Sequence, residues 1–151
     1  MEYQKLYSSI EKLEDLTFPK WGRMNSSMML KHCSAFIDVY LNKTKLNPLI
    51  FIVGFVFGIF HRLYLKYIVR YNVKNYIKNL PTLKVFNTYR CENLDFEFEK
   101  IKLISDLKEV ESMNKKYLFN NFHGIVPNKA FKKVVYFHTS YHLYQFDVYK
   151  T

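Results

Sequence analysis

Tyr3, Leu6, Tyr7, Ile10, Leu13 and Leu16 recur at the three-and-four spacing of an amphipathic helix. Thr17-Phe18-Pro19 ends this first helix, because a residue before proline is pushed toward extended backbone. After Trp21-Gly22-Arg23-Met24, Asn25 offers an N-cap oxygen, and Met28, Met29, His32, Phe36, Val39 and Tyr40 carry an apolar stripe to about Asn42. Residues 46–80 read as one or two further helices closed by Pro81, followed by an irregular stretch to about Asn93. Leu94, Phe98, Ile101, Ile104, Leu107 and Val110, extended by Tyr117 and Leu118, predict a long third principal helix. Its polar face carries Glu97, Lys100, Asp106 and Glu109. Pro127-Asn128 opens a fourth, whose apolar positions are Phe131, Val134, Val135, Leu143 and Phe146. No strand-like alternation persists beyond Thr82–Thr88, and neither an internal repeat nor a Gly-rich phosphate loop is present. The expected fold is all-α: a four-helix bundle in one domain over residues 1–151, with a helical, elaborated connection between helices two and three.

Composition supports a packed core. The chain has 151 residues, 49% of them hydrophobic, which excludes disorder and allows a core without disulfides or a structural metal. Cys33 and Cys91 form no CxxC pair, which fits a reducing compartment, and the polar, periodic N-terminus lacks a secretory layout, so the expected location is the cytoplasm. The net charge of +10 is unevenly spread: residues 39–91 carry nine Lys and Arg and no acid. This block includes the longest apolar run, Leu49 to Phe60, whose 12 residues fall short of the roughly 20 that a membrane-spanning helix needs. Arg62, Lys66, Arg70, Lys74 and Lys78 follow every four residues, a spacing that on a helix drifts around about 160° rather than making one basic face. Such a block licenses attraction to polyanions without naming one. The aromatics Trp21, Phe51, Phe55, Phe57 and Phe60 read as core, and no motif accompanies them that predicts specific nucleic-acid binding.

Three histidines stand where pattern alone would put an apolar residue. His32 interrupts the stripe of the second helix, so its imidazole should face inward. His138 and His142 are spaced i, i+4, which stacks them one turn apart with about 6 Å between Cβ atoms. That spacing suits two ligands of one metal, and a third imidazole from a facing helix would leave a coordination position open. The other reading of each is a hydrogen-bonded core histidine. His138-Thr139-Ser140-Tyr141-His142 contains no carboxylate, which disfavours zinc-protease chemistry with a neighbouring general base. His61 and His123 fall outside the triad, although His123 precedes the fourth helix closely enough to approach its open side. Cys33 points about 100° away from His32, so it reads as a buried, inert thiol rather than half of a catalytic pair.

Trp21-Gly22-Arg23-Met24 with Met28-x-x-x-His32-Cys33, Asn79-Leu80-Pro81-Thr82, Asp95-Phe96-Glu97-x-Glu99-Lys100, His123-Gly124 and His138-x-x-x-His142-Leu143-x-Gln145-Phe146 together resemble a branch of the DinB-like (YfiT-like) metal-binding bundle superfamily. The likeness covers about residues 18–148. It implies a four-helix bundle holding a divalent metal, commonly nickel or zinc, on three histidines, which carry over to His32, His138 and His142. It also implies a metal-dependent, thiol-dependent transferase or a hydrolase acting on a small molecule, with a low-molecular-weight thiol as the co-substrate of the first. Tyr141, Gln145 and His123 are the candidates for orienting the ligands or binding substrate. Two positions depart from the family pattern: Gly124 stands where a proline is usual after His123, and Tyr141 where a second histidine is usual beside His142. The alternative function is a non-enzymatic protein attached to an anionic membrane surface through segment 49–78. Assembly as a homodimer is left open.

Overall fold

A computed structural model of the chain describes residues 3–44, 56, 58–120 and 124–151. His123, Phe51, Phe55, Phe57 and most of the Leu49–Phe60 run lie outside the described residues.

Helix α1 (Tyr3–Glu11) buries Tyr3, Leu6 and Ile10 and stops before the predicted Leu16. The Lys100 ammonium explains the early stop, because it donates to the carbonyls of Glu11 (3.3 Å) and Leu13 (3.1 Å). Those are the acceptors that residues 15 and 17 would need in a longer helix. The cation also complements the negative end of the helix. Leu13 stays in the core, whereas Leu16 is 82% exposed.

Helix α2 (Ser26–Tyr40) begins where Asn25 Oδ1 accepts from the Met28 amide at 2.8 Å. Ser26, fully buried, ties this start to the preceding loop by donating to the carbonyls of Glu14 (2.9 Å) and Thr17 (3.0 Å). The connection that follows is only partly α-helical. Residues 58–63 are α-helical, Tyr64–Val69 widens into a π-helix, and Arg70 and Tyr71 both take left-handed backbone, with φ of 55° and 54°. Short 3₁₀ turns follow at Val73–Asn75 and Lys84–Phe86. The expected row of bases on one helix, Arg62 through Lys78, is therefore broken after Val69, and the stretch Thr82–Thr88 forms no strand.

Helix α3 (Phe96–Ser112) starts at Asp95, whose Oδ1 accepts from the Phe98 amide at 2.8 Å. Leu107 and Val110 are buried as expected, but the first half of the helix is turned from the expected orientation. Phe98 and Ile101 are exposed, and the buried face is Glu99, Leu103, Asp106, Leu107 and Val110. Asp106 thus belongs to the buried face and not to the polar one. Two apolar stripes compete in this sequence, and charge decides between them. The chosen rotation pairs Glu99 with Lys31 of α2 (3.1 Å) and lets Lys102 bridge Asp38 of α2 (3.0 Å) and Asp106 (2.7 Å). Lys43, just beyond α2, adds a 2.5 Å contact to Glu109. An unpaired buried carboxylate would cost several kcal/mol, on the order of the loss from exposing a large apolar side chain or more.

Tyr117 and Leu118 do not extend α3. They open strand β1 (Tyr117–Asn120), which pairs antiparallel with β2 (Gly124–Pro127) in the register Tyr117↔Pro127 and Leu118↔Val126. Leu118 and Val126 face the core while Tyr117, Phe119 and Ile125 face out, the period-two alternation of a half-buried strand. Helix α4 (Asn128–Gln145) follows directly and buries Phe131, Val134, Val135 and Leu143.

The chain is mostly helical, with this one small hairpin among the described residues. Helix α2 packs most extensively on α3, and α1 and α2 both contact α4. The buried side chains form one continuous cluster. This arrangement agrees with the all-α class and brings the middle of α2 against the C-terminal half of α4.

Candidate metal centre

His32, near the middle of α2, and His138 and His142, one turn apart on α4, meet between the two helices. One ligand nitrogen of each lies within 4.8 Å of the others. The ring centroids form a nearly regular triangle, with sides of 5.1 Å (His32–His138), 4.7 Å (His32–His142) and 4.7 Å (His138–His142). His32 and His142 are buried, and His138 retains partial exposure.

The bonds on the outer side of each ring set its chemistry. His32 Nδ1 lies 2.7 Å from the Phe86 carbonyl, which only accepts, so Nδ1 carries the proton and Nε2 keeps its lone pair. Gln145 uses its amide NH₂ on the Trp21 carbonyl (2.6 Å), which leaves its Oε1 to accept from His142 Nδ1 at 2.9 Å. His142 Nε2 is thereby an acceptor as well. His138 Nε2 sits 3.2 Å from His32 Nε2, and its ring stacks on Phe36 at 3.9 Å between centroids with 10° between planes. The His138 Nδ1 atom is buried without a hydrogen-bond partner.

Burial holds all three imidazoles neutral. Desolvation lowers His32 below its ordinary value, pushes His142 down to about 3, and takes His138 well below the usual range, with its histidine neighbours adding repulsion. Two inward lone pairs, on His32 Nε2 and His142 Nε2, face the Nε2–H of His138, which donates to His32. With that proton on the unpartnered His138 Nδ1 instead, all three inward nitrogens would be free to bind a divalent ion.

The residues fit such an ion. With Zn–N bonds of about 2.0–2.1 Å, tetrahedral ligand nitrogens lie about 3.3 Å apart, close to the 3.2 Å already present between His32 and His138. The donors are all imidazole nitrogen, a set that suits zinc, nickel, copper or iron. Two of the three have their outer nitrogen held by an acceptor, the usual support for a metal-binding histidine.

Of the other candidate residues, Gln145 orients His142 directly. Tyr141 has its ring 5.2 Å from that of His142, but its hydroxyl is committed elsewhere: it accepts from Trp21 Nε1 and donates to the Ile77 carbonyl, both at 3.3 Å. It clasps the connection onto α4. His61 stays outside the triad, with Nε2 3.1 Å from the Tyr76 hydroxyl, and burial lowers it to about 4. Cys33 is fully buried against Met29, and burial raises its thiol far above the usual range, so it is inert, as its position predicts. The cavity of about 370 Å³ lined by Tyr71, Val73, Lys133, Phe137 and Tyr149 borders none of the three ligands.

Sequence reasoning missed two supports. The Phe86 carbonyl comes from an irregular stretch, and a backbone acceptor leaves no mark in residue type. The Trp21-Gly22 turn, visible as a motif, works through its main chain: Gly22 sits at φ 90°, and a Cβ there would meet Gln145 Nε2 at 2.6 Å. Close approach and positive φ together explain the glycine.

No protein-family model, curated protein or solved structure matches the chain.

Proposed function

We propose that this chain is a DinB-like four-helix bundle that holds one divalent ion, nickel or zinc, on His32, His138 and His142, and uses it to activate a nucleophile against a small-molecule electrophile. The observation that carries this reading is the direction of the protons. Phe86 and Gln145 draw the Nδ1 hydrogens of His32 and His142 outward, so that lone pairs converge at one point between α2 and α4. A core built only for packing has no reason to turn two buried imidazole acceptors toward a third imidazole.

Bound there, the ion would supply Lewis-acid chemistry, lowering the pKa of a water or a low-molecular-weight thiol, because three neutral ligands leave its 2+ charge uncompensated. The chain's own residues do the rest. Gln145, itself held by the Trp21 carbonyl, fixes the His142 ring through one hydrogen bond, the Phe86 carbonyl fixes His32, and the face of Phe36 packs on His138. Tyr141 anchors residue 77 of the connection beside this group. The reaction classes that follow are thiol transfer and hydrolysis, with a small-molecule substrate.

Elemental analysis of tag-free protein tests the reading. The expected content is near one ion per chain in the wild type and below about 0.2 in His138→Ala/His142→Ala. A wild type equally poor in metal after incubation with nickel or zinc refutes it. Loaded protein is then assayed with a generic electrophile plus a series of thiols, and separately with activated esters. Turnover that depends on thiol assigns the transferase class, and turnover in water alone assigns the hydrolase class.

A further inference from the structure

The helical part of the connection carries two apolar faces, and only one of them is used by the fold. Leu65 and Val69 are fully buried and anchor the segment to the core. On the other side, Val56, Ile59, Phe60, Leu63 and Tyr67 follow the i, i+3, i+4, i+7, i+11 pattern of a single helical stripe, and all are exposed. Ile68 continues the surface beside them, at 67% exposure. A stripe with this periodicity normally marks the face that a helix buries.

Lys66 and Arg70 are exposed next to these side chains, and no acid occurs anywhere between residues 39 and 91. This combination restricts the partner. A second copy of the chain would bring the same uncompensated bases against each other, which repel. Nucleic acid would satisfy Lys66 and Arg70 through phosphates but leave Phe60, Leu63 and Ile68 without an apolar contact. An anionic bilayer supplies both halves, with headgroup charge for the bases and the acyl boundary for the apolar stripe, and it accepts tyrosine at the interface between them. Among the described residues no helix is long and apolar enough to cross a membrane, so the segment would lie on the surface.

We infer that the exposed side chains of Val56, Ile59, Phe60, Leu63, Tyr67 and Ile68, flanked by Lys66 and Arg70, are a docking surface for an anionic membrane. It seats the segment in the plane of the headgroups and leaves Leu65 and Val69 anchored in the protein. The connection that carries this stripe also supplies the Ile77 carbonyl to Tyr141 and the Phe86 carbonyl to His32. The inference does not depend on metal binding.

Co-flotation of the full chain with phosphatidylcholine vesicles, with and without phosphatidylserine, tests it. Binding is expected only to the phosphatidylserine vesicles and should weaken with salt. Lys66→Gln/Arg70→Gln should lower affinity about 25-fold, at roughly fivefold per charge near the surface. Phe60→Ser/Leu63→Ser, which alters exposed side chains only, should lower it at least about tenfold, with thermal stability and metal content unchanged. Absence of binding to the anionic vesicles at low salt overturns the proposal, as does binding that Phe60→Ser/Leu63→Ser leaves intact. A concentration-dependent dimer abolished by Phe60→Ser, or a duplex DNA shift at physiological salt that needs the same apolar residues, would reassign the face and equally overturn it.

Discussion

Helix α4 and the connection between α2 and α3 contribute to the histidine site by opposite means. Helix α4 is a regular element of 18 residues that satisfies its backbone internally and delivers His138 and His142 by its repeat alone. The connection has no described regular element after residue 63 longer than the six-residue π-helix. Beside the buried Leu65, Val69 and Phe86, it is held to the helices by single bonds: Tyr141 to the Ile77 carbonyl, His32 to the Phe86 carbonyl, and Thr88 Oγ1 to the Met28 carbonyl at 3.0 Å. The difference separates two jobs. Helices place the imidazoles within reach of one another, while irregular backbone, whose carbonyls are not used up by a ladder, decides which nitrogen of a ring carries the proton.

Acid should have the largest effect, acting on buried histidines in both halves of this comparison. A histidine in the unfolded chain titrates near 6.5, whereas burial keeps the folded rings neutral to lower pH, His142 to about 3 and His61 to about 4. Between these values the unfolded state binds more protons. Stability of the metal-free protein is therefore complete above about pH 6.5 and falls as pH drops toward about 4 and 3, by about 1.4 kcal/mol per pH unit for each ring that stays neutral. Denaturant titrations at several pH values read this directly, and a flat profile across the window would contradict the buried neutral triad.

A smaller effect should come from Gly22→Ala. The added Cβ meets Gln145 Nε2 at 2.6 Å, and alanine at φ 90° is strained by about 1–3 kcal/mol. Displacing Gln145 should also weaken metal binding about 10- to 100-fold through the freed His142 ring. Calorimetric unfolding and metal titration measure the two separately. If the metal affinity holds while stability drops, Gln145 has no orienting role.

Tyr141→Phe sharpens the comparison with the smallest change. It removes the hydroxyl that clasps the connection to α4 but no bond to a histidine, so stability should fall by about 1 kcal/mol with metal content unaltered. Faster amide exchange in residues 73–88, with α4 unaffected, would mark the connection as the part released.

Much of the histidine site was legible along the chain because helical periodicity is local. Each of His32, His138 and His142 occupies an inward position of its own stripe, and that follows from the 3.6-residue repeat whatever the helix packs against. The rotation of α3 was not legible in this way. Phe98 and Ile101 line up with Leu107 and Val110 as well as Leu103 does, and the choice depends on Lys31 and Asp38, which belong to a different helix. Tyr117 and Leu118 misled for a related reason: a short apolar pair fits either repeat until Val126 comes to lie across from Leu118.

The sequence by itself therefore determined the four principal helices, the inward face of the three histidines and the acid-free basic block, since these depend only on residue type and spacing. Tertiary structure alone decided which nitrogens converge, which carbonyls hold the outer protons and which apolar stripes remain exposed. Those outcomes require groups distant in sequence to compete for the same partner, and a hydrogen bond to a main-chain carbonyl such as that of Phe86 is written in no side chain.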